Sequence, residues 1–135
     1  MFSIIKTKEN VENFLDKTNA LHDGYIISVQ YTNGGVTKLD YGYHFNHEKT
    51  KLIIQVLVTS IWDSIIEIEF ENLLEWQIKD GQWGITDSSI IFDENGSIIW
   101  LDDVYTTAEE MKKGSYVIAK NMKWRIRDLC ERKRH

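Results

Sequence analysis

The stretch from Lys51 to Glu71 most constrains the fold, because it reads as two extended segments joined by a short break. In the second segment, apolar residues alternate with glutamates: Ile66, Ile68 and Phe70 against Glu67, Glu69 and Glu71. A period of two places the apolar side chains on one face of a strand and the carboxylates on the other. The first segment, Leu52 to Val58, is apolar on both faces and rich in Val and Ile, which favour strands. We therefore predict a hairpin at the centre of an antiparallel sheet.

Two helices are predicted outside that hairpin. Residues 7–21 carry apolar side chains at helical spacing, with Thr7 as the N-cap and Gly24 just beyond the end. A short helix is predicted for Thr107 to Lys113, because Thr107 followed by Glu110 matches a capping box. The remaining chain is dominated by residues with a strand-like pattern.

Asn-Gly pairs between runs of period two predict two further hairpins. The paired segments are 25–32 with 36–45, and 89–92 with 97–101. Residues 72–87 and 116–127 are compatible with strand or helix, and we favour a strand for 116–127 because aromatic and β-branched residues dominate there.

Together these elements predict a single mainly β (α+β) domain over residues 1–135, with a frayed tail at 128–135. The architecture that we expect is an antiparallel sandwich or a partly open barrel, with an N-terminal helix and one short helix before the last strand.

Composition narrows the class of protein. The chain is 42% hydrophobic and 27% charged, which is ordinary for a globular domain. Its single cysteine, Cys130, allows no internal disulfide, and the N-terminus has no signal-peptide pattern, so we expect a cytoplasmic protein. The net charge is −5, with the basic residues concentrated after Lys120. An acidic body does not favour nucleic-acid binding, and no apolar run is long enough to span a membrane.

His22-Asp23 is the most suggestive polar pair, because it lies where the first helix meets the first long strand. A histidine beside a carboxylate can exchange protons or bind a metal, and it can equally cap a helix and make a turn. His44 and His47 are spaced for a turn and not for one helix face, so we expect two surface histidines and no metal site.

Three other groups are candidates for binding. Asp102-Asp103 follows a strand and can bind a cation, contact an arginine such as Arg125 or Arg127, or form a polar turn. The glutamate row 67–71 is expected to be a solvated strand face, with a paired-carboxylate site or a patch for a basic partner as alternatives. Trp100 and Trp124, among five tryptophans, are expected in the core, with a ligand cavity or an interface hot spot as the alternatives.

No motif for catalysis or cofactor binding is present. The sequence has no nucleophile elbow, no P-loop and no Gly-x-Gly-x-x-Gly fingerprint, and Cys130 has no recognisable base partner. We therefore predict no catalytic residues, no metal site and no cofactor.

Four segments carry a resemblance to a group of short bacterial proteins: LHDG (21–24), IEIEF (66–70), IIWLDD (98–103) and YVIAKNMKWR (116–125). Members of that group have an F/L-H-D opening, an E-M-E-F-like strand, an I-x-W-x-D segment and a closing A-x-x-x-x-W-R. The resemblance covers residues 21–127 in order, and it implies a shared fold without a particular activity. Through His22-Asp23 the chain also resembles β-rich immunity proteins that neutralise toxins.

The acidic body, the aromatic residues and the lack of a catalytic motif predict a small non-enzymatic module that binds a protein partner, in the manner of an immunity protein. We expect that partner to be a basic protein or a second copy. One alternative is a small-molecule binder or hydrolase whose aromatic pocket brings together His22, Asp23, Asp102 and Arg125. A structural subunit of an oligomer is the other alternative.

Overall fold

The computed structural model describes residues 1–38, 42–61, 63–79 and 84–128, and no side chains are described for 35–45 and 47. The helices and strands are, in chain order, β1 (Ser3–Ile5), α1 (Lys8–Lys17), β2 (Tyr25–Thr32), β3 (Gly35–Lys38), β4 (Gly42–Phe45), β5 (Lys51–Leu57), β6 (Ser64–Gln77), β7 (Ser89–Phe92), β8 (Ile98–Leu101), α2 (Ala108–Met111) and β9 (Tyr116–Asp128). The predicted histidine side chains at 44 and 47, Trp62, Trp83, Cys130 and the tail after Asp128 lie outside this description.

Within the described residues, seven strands form one antiparallel sheet in the order β2-β5-β6-β9-β8-β7, and β1 pairs with β9 off that path. The sheet does not close into a barrel, and β3 and β4 form a separate two-stranded sheet. The prediction of a mainly β fold with one N-terminal helix and one short helix before the last strand is confirmed.

The predicted central hairpin is confirmed by the pairing of β5 with β6. Leu52 lies opposite Phe70 and Ile54 lies opposite Ile68, and all four side chains are buried. Of the two segments that were compatible with strand or helix, 116–127 belongs to strand β9, as favoured. In 72–87, strand β6 continues to Gln77, residues 78–79 and 84–87 are in neither a helix nor a named strand, and 80–83 lie outside the described residues.

The prediction that 25–32 pairs with 36–45 is wrong, because β2 pairs with β5 instead. The reason lies at Gly34, whose carbonyl accepts a hydrogen bond from the Asn46 amide at 2.9 Å. A Cβ atom on Gly34 would lie 1.7 Å from the Asn46 oxygen, so only glycine allows this close approach. The chain therefore leaves β2 at Gly34, forms the β3–β4 pair, and returns at Asn46 before β5.

The two longest strands, β6 and β9, change their buried side together near Asn72. Asn72 has a positive φ of 57°, and the amides of Asn72 and Leu73 donate to the carbonyl and hydroxyl of Thr50 at 2.9 and 2.7 Å. After this point the buried position in β6 moves from Phe70 to Leu73, out of the period of two. Each strand thus keeps apolar side chains against the core on both sides of this irregularity.

The core lies on the side of the sheet that α1 covers. Phe14 of α1 packs edge-on against Trp124, with ring centroids 5.2 Å apart, and Phe70 packs against Trp100 at 6.2 Å. Trp100 is fully buried and Trp124 nearly so, as the core-packing prediction requires. Each such aromatic pair adds about 0.5–1.5 kcal/mol beyond the area that it buries.

The first helix begins at its predicted cap but ends earlier than predicted. The Thr7 hydroxyl accepts from the Asn10 amide at 3.1 Å, and the Asn10 side chain accepts from the Thr7 amide at 3.0 Å. The helix stops at Lys17, and the next residues enter a different conformation. That change of backbone positions the first candidate site.

Candidate functional site

A left-handed turn follows α1. Asn19, Ala20 and Leu21 have φ values of 53°, 53° and 52°, and Asp23 has 56°. For residues other than glycine this conformation costs about 1–2 kcal/mol each. The turn is held because Leu21 is fully buried and the Ala20 carbonyl accepts from the Ser88 amide at 2.7 Å. Such strain is found most often at functional sites, where the fold holds a side chain in a set position.

His22 is the side chain that this turn presents. Its Nδ1 lies 2.9 Å from the Thr86 carbonyl oxygen and 3.0 Å from Asp87 Oδ1. Because a carbonyl only accepts, Nδ1 carries the proton and donates to both oxygens. Nε2 lies 3.3 Å from Asp23 Oδ2. The hydrogen bond to Asp87, followed by that to Thr86 and the charge of Asp23, raises the pKa of His22 above its ordinary value.

The predicted pair is therefore part of a three-residue cluster that the sequence pattern missed. Asp87 lies 65 positions away from His22, and no spacing rule connects two residues at that separation. The pairing depends on the loop before β7 reaching the turn, where Ser88 bonds Ala20 and Ile85 bonds Gly24. These contacts form only in the folded chain, so no short sequence pattern predicts them.

Asp102 forms a second polar centre. The Tyr105 hydroxyl donates to Asp102 Oδ1 at 2.6 Å, and burial together with this carboxylate raises the pKa of Tyr105. The Asp102 amide donates to the Ser115 carbonyl at 3.1 Å. Gly114 supports the pair, since a Cβ there would lie 1.9 Å from the Tyr105 hydroxyl oxygen. Asp102 is thus fixed both by its backbone and by its side chain.

A cleft of about 390 Å³ opens beside this pair. Its described lining consists of Lys79, Gly84, Thr86, Asp102, Asp103, Tyr105, Lys113 and Gly114. We name it the Asp102 cleft. The Thr86 backbone joins it to the histidine cluster, because the Thr86 carbonyl accepts from His22 and its amide donates to the Asp102 carbonyl at 3.2 Å. The structure therefore brings four predicted residues into one region: His22, Asp23, Asp102 and Asp103.

The other three predicted binding residues lie elsewhere. Trp100 and Trp124 are in the core, and their Nε1 atoms have no hydrogen-bond partner among the described residues. The contact predicted between Arg125 and Asp102-Asp103 does not form, because the Arg125 Nε donates to Glu67 Oε2 at 2.7 Å. Neither these tryptophans nor Arg125 line the Asp102 cleft.

The glutamate row is the clearest correction, because Glu67 and Glu69 are each only 7% exposed and are not a solvated face. Glu67 accepts from Arg125 on β9 and from Gln55 on β5 at 3.3 Å, and the Lys51 Nζ lies 2.8 Å from Glu69. Burial alone would raise the pKa of Glu67, but the hydrogen bonds from Arg125 and Gln55 bring it below its ordinary value. Cations on both neighbouring strands hold these carboxylates in place.

The N-terminal segment lies over this row of ion pairs. The Phe2 ring centroid is 4.4 Å from the Arg125 guanidinium carbon and 4.9 Å from the Lys123 Nζ. Both are cation–π distances, so Phe2 covers the basic partners of the glutamates. Phe2 therefore lies on the same face of the sheet as the ion pairs of Glu67 and Glu69, opposite the core.

The edge strand β2 presents an apolar surface to solvent. Tyr25, Ile27, Val29 and Tyr31 are between 39% and 52% exposed. β2 pairs with β5 on one side and has no second strand partner among the described residues. From Gly24 to Thr37 the sequence contains no charged residue. Edge strands usually carry lysine, proline or an inward-pointing charge that prevents pairing, and β2 carries none of these.

A second cleft adjoins the beginning of β2. Its volume is about 300 Å³, and its described lining is mostly apolar: Tyr25, Leu57, Val58, Thr59, Ile61, Asp63 and Ser64. Tyr25 and Leu57 are register partners on β2 and β5, and both are partly exposed. We name this cavity the Tyr25 cleft. After the register shift between Ile26 and Ser28, Val29 and Tyr31 lie opposite Ile54 and Leu52 on the core side of the sheet, whereas Tyr25 lies opposite Leu57 on the other side.

The fold and these surfaces define a small mainly β protein built on one open antiparallel sheet. No family model matches the chain, and neither the curated proteins nor the solved structures include a match. The resemblances to the short bacterial group and to immunity proteins therefore stay predictions. In the described part of the chain, no three His, Cys, Asp or Glu side chains are grouped to hold a metal ion. No described helix is long and apolar enough to cross a bilayer.

Proposed function

We propose that this protein is a small cytoplasmic, non-enzymatic module that binds a protein partner through the free edge of β2. The observation that carries the proposal is that an edge strand without charges exposes four apolar side chains, distributed over its two faces. The single cysteine of the sequence supports a reducing compartment.

The backbone of β2 supports recognition by strand addition. An extended peptide beside an edge strand gains main-chain hydrogen bonds, while its alternate side chains supply specificity. The register of β2 is regular from Ser28 to Thr32 and shifts between Ile26 and Ser28. A partner strand would therefore pair along Ser28 to Thr32 and place an apolar anchor residue in the Tyr25 cleft.

Charge supports a basic flank on that partner. The net charge of the chain is −5, and most of its acidic residues precede Lys120. Charge complementarity speeds encounter, whereas the uncharged strand itself imposes no charge on the paired segment. The proposed partner is thus an apolar extended segment with basic neighbours, as a neutralised toxin would offer to an immunity protein.

Display of a peptide library against the full chain tests the proposal. We expect enrichment of extended apolar peptides with basic flanks, and slower amide exchange at Val29 and Tyr31 when a selected peptide is bound. Val29→Lys should weaken binding at least about tenfold, because a buried ammonium opposes pairing.

Ile91→Lys is the matched control, since Ile91 is 50% exposed on β7, the strand at the opposite end of the sheet. It should leave peptide affinity unchanged. Equal losses in both variants, or protection at β7 and not at β2, would contradict the proposal. Light scattering that shows a stable dimer disrupted by Val29→Lys would identify a second copy, and not a separate partner, as the occupant.

A further inference from the structure

The Asp102 cleft is separate from the surface that β2 offers. It lies where β6, β8 and α2 all end, and it shares none of its described lining residues with β2 or with the Tyr25 cleft. Its volume of about 390 Å³ is within the range of small-molecule sites, which spans about 300–1,000 Å³.

One wall of the cleft is acidic and fixed in position. Tyr105 occupies Oδ1 of Asp102, which leaves Oδ2 to accept from a ligand. Asp103 is held as well, because its Oδ1 accepts from the Val104 amide at 2.7 Å and its carbonyl accepts from the Ser89 hydroxyl at 2.9 Å. A wall that is fixed before binding loses little conformational freedom when a cation arrives.

Lysines from two other segments provide the opposite charge. Lys79 follows β6, and its amide donates to the Ser115 hydroxyl at 2.8 Å. Lys113 follows α2, and its amide donates to the Glu110 carbonyl at 3.0 Å. Neither ammonium forms a salt bridge with a described carboxylate, although the charge of Lys113 helps to lower the pKa of Glu110, whereas Lys51 and Lys123 on the sheet both form salt bridges.

We propose that the Asp102 cleft binds a small zwitterion, of the class of a free α-amino acid. The ligand ammonium would lie against Asp102 and Asp103, and the ligand carboxylate would lie against Lys79 and Lys113. The described lining residues carry two acidic and two basic side chains, so a ligand with both charges would find a partner of each sign among them.

Ligands with one charge fit this lining less well. A simple anion would approach two fixed carboxylates, and a simple cation would approach two ammonium groups. Like charges brought together in a partly enclosed site lower affinity and provide specificity against the wrong ligand. The discrimination between a zwitterion and its singly charged analogues is therefore the signature of the site.

Calorimetric titration of the full chain with the proteinogenic L-amino acids is the first test. The best binder is then compared with its analogue lacking the amino group and with its analogue lacking the carboxylate. We expect each analogue to bind at least about tenfold more weakly. Amide NMR shifts should appear at Thr86, Asp103 and Gly114 and should be absent at Val29.

Two substitutions locate the charges. Asp102→Asn keeps an oxygen for Tyr105 and should raise Kd for the amino acid about tenfold, and Lys113→Gln should do the same. Lys112→Gln is the control, because Lys112 is adjacent and exposed but does not line the cleft. If Asp102→Asn alters the amide spectrum of the free protein, Lys79→Gln replaces it, since Lys79 is exposed.

The proposal is overturned if no amino acid shifts these amides at about 10 mM, where a site with a Kd of about 1 mM would be mostly occupied. It is also overturned if either singly charged analogue binds as tightly as the zwitterion, or if the charge-removing variants keep wild-type affinity.

Discussion

At the scale of single residues, Gly114 shows how closely the candidate site is packed. The Tyr105 hydroxyl oxygen and Asp102 Oδ1 would lie 1.9 and 2.6 Å from a Cβ at this position. Both atoms belong to the hydrogen-bonded pair that forms the acidic wall. Glycine is therefore required here because there is no room for a side chain, and not because of its backbone conformation.

We expect Gly114→Ala to lower the free energy of unfolding by about 1–3 kcal/mol, as insertion of a methyl group into a filled space does. Urea denaturation measures the change. In a Tyr105→Phe background the same substitution should cost less, because the nearest atom has been removed. Equal costs in both backgrounds would show that the hydroxyl is not the obstacle.

His22 makes stability depend on pH in a defined direction. Its pKa is raised in the fold, so protonated His22 favours the folded state. That contribution is complete below pH 6.5, the ordinary value, and is lost as pH rises through the folded pKa. Glu67 and Glu110 have lowered pKa values and lose their contributions only as pH falls below 4.5.

We therefore expect the urea midpoint of the wild-type protein to fall as pH rises from about 6.5 through the raised pKa of His22, a range that only His22 among these groups controls. His22→Gln should flatten the profile. Asp87→Asn should reduce the slope, because Asp87 makes the largest contribution to the shift. A midpoint that rises over this range would contradict the assignment.

At the scale of elements, the three central strands form a polar layer on the side away from the core. Arg125 and Arg127 of β9 both reach Glu67 of β6, and Lys51 of β5 reaches Glu69. The alternation in β6 predicted that the glutamates share a face, and that much is correct. Their burial was not predictable, because it depends on which basic residues the neighbouring strands align with them.

We expect Glu67→Gln to lower the free energy of unfolding by about 1–3 kcal/mol, since two guanidinium groups lose a buried partner but stay partly hydrated. Glu71→Gln is the control: the Glu71 side chain is 39% exposed and pairs with Lys123 at 3.2 Å, so its loss should cost less than about 1 kcal/mol. Similar costs for the two variants would contradict the buried character of Glu67.

At the scale of the whole molecule, local patterns predicted the elements better than their arrangement. Period-two alternation identified β6 and β2, a run of Val and Ile that is apolar on both faces identified β5, and the caps at Thr7 and Thr107 identified both helices. The partner of β2 was mistaken, because a turn signal such as Asn33-Gly34 does not reveal whether the chain pairs at once or after an excursion. The left-handed turn before His22 also lacks a signal, since Ala20 and Leu21 favour other conformations.

The residues of the candidate site were likewise easier to predict than their arrangement in space. Adjacent pairs such as His22-Asp23 and Asp102-Asp103 were visible in the sequence, and the structure places them on either side of Thr86. Lys79, Tyr105 and Lys113 come from segments that are separate in sequence and meet only when three elements end at the same place. Arg125 was misassigned because an arginine on a strand finds its partner across the sheet.

The close contact between Gly34 and Asn46 has a consequence for the length of the chain. Gly34 and Asn46 are already joined by a backbone hydrogen bond. The segment 35–45 therefore begins and ends at the same place in the fold. Joining β2 to β5 by a short loop in place of residues 35–45 would leave the seven-stranded sheet with every one of its pairings. This is where a homologous chain can gain or lose length without disturbing the scaffold.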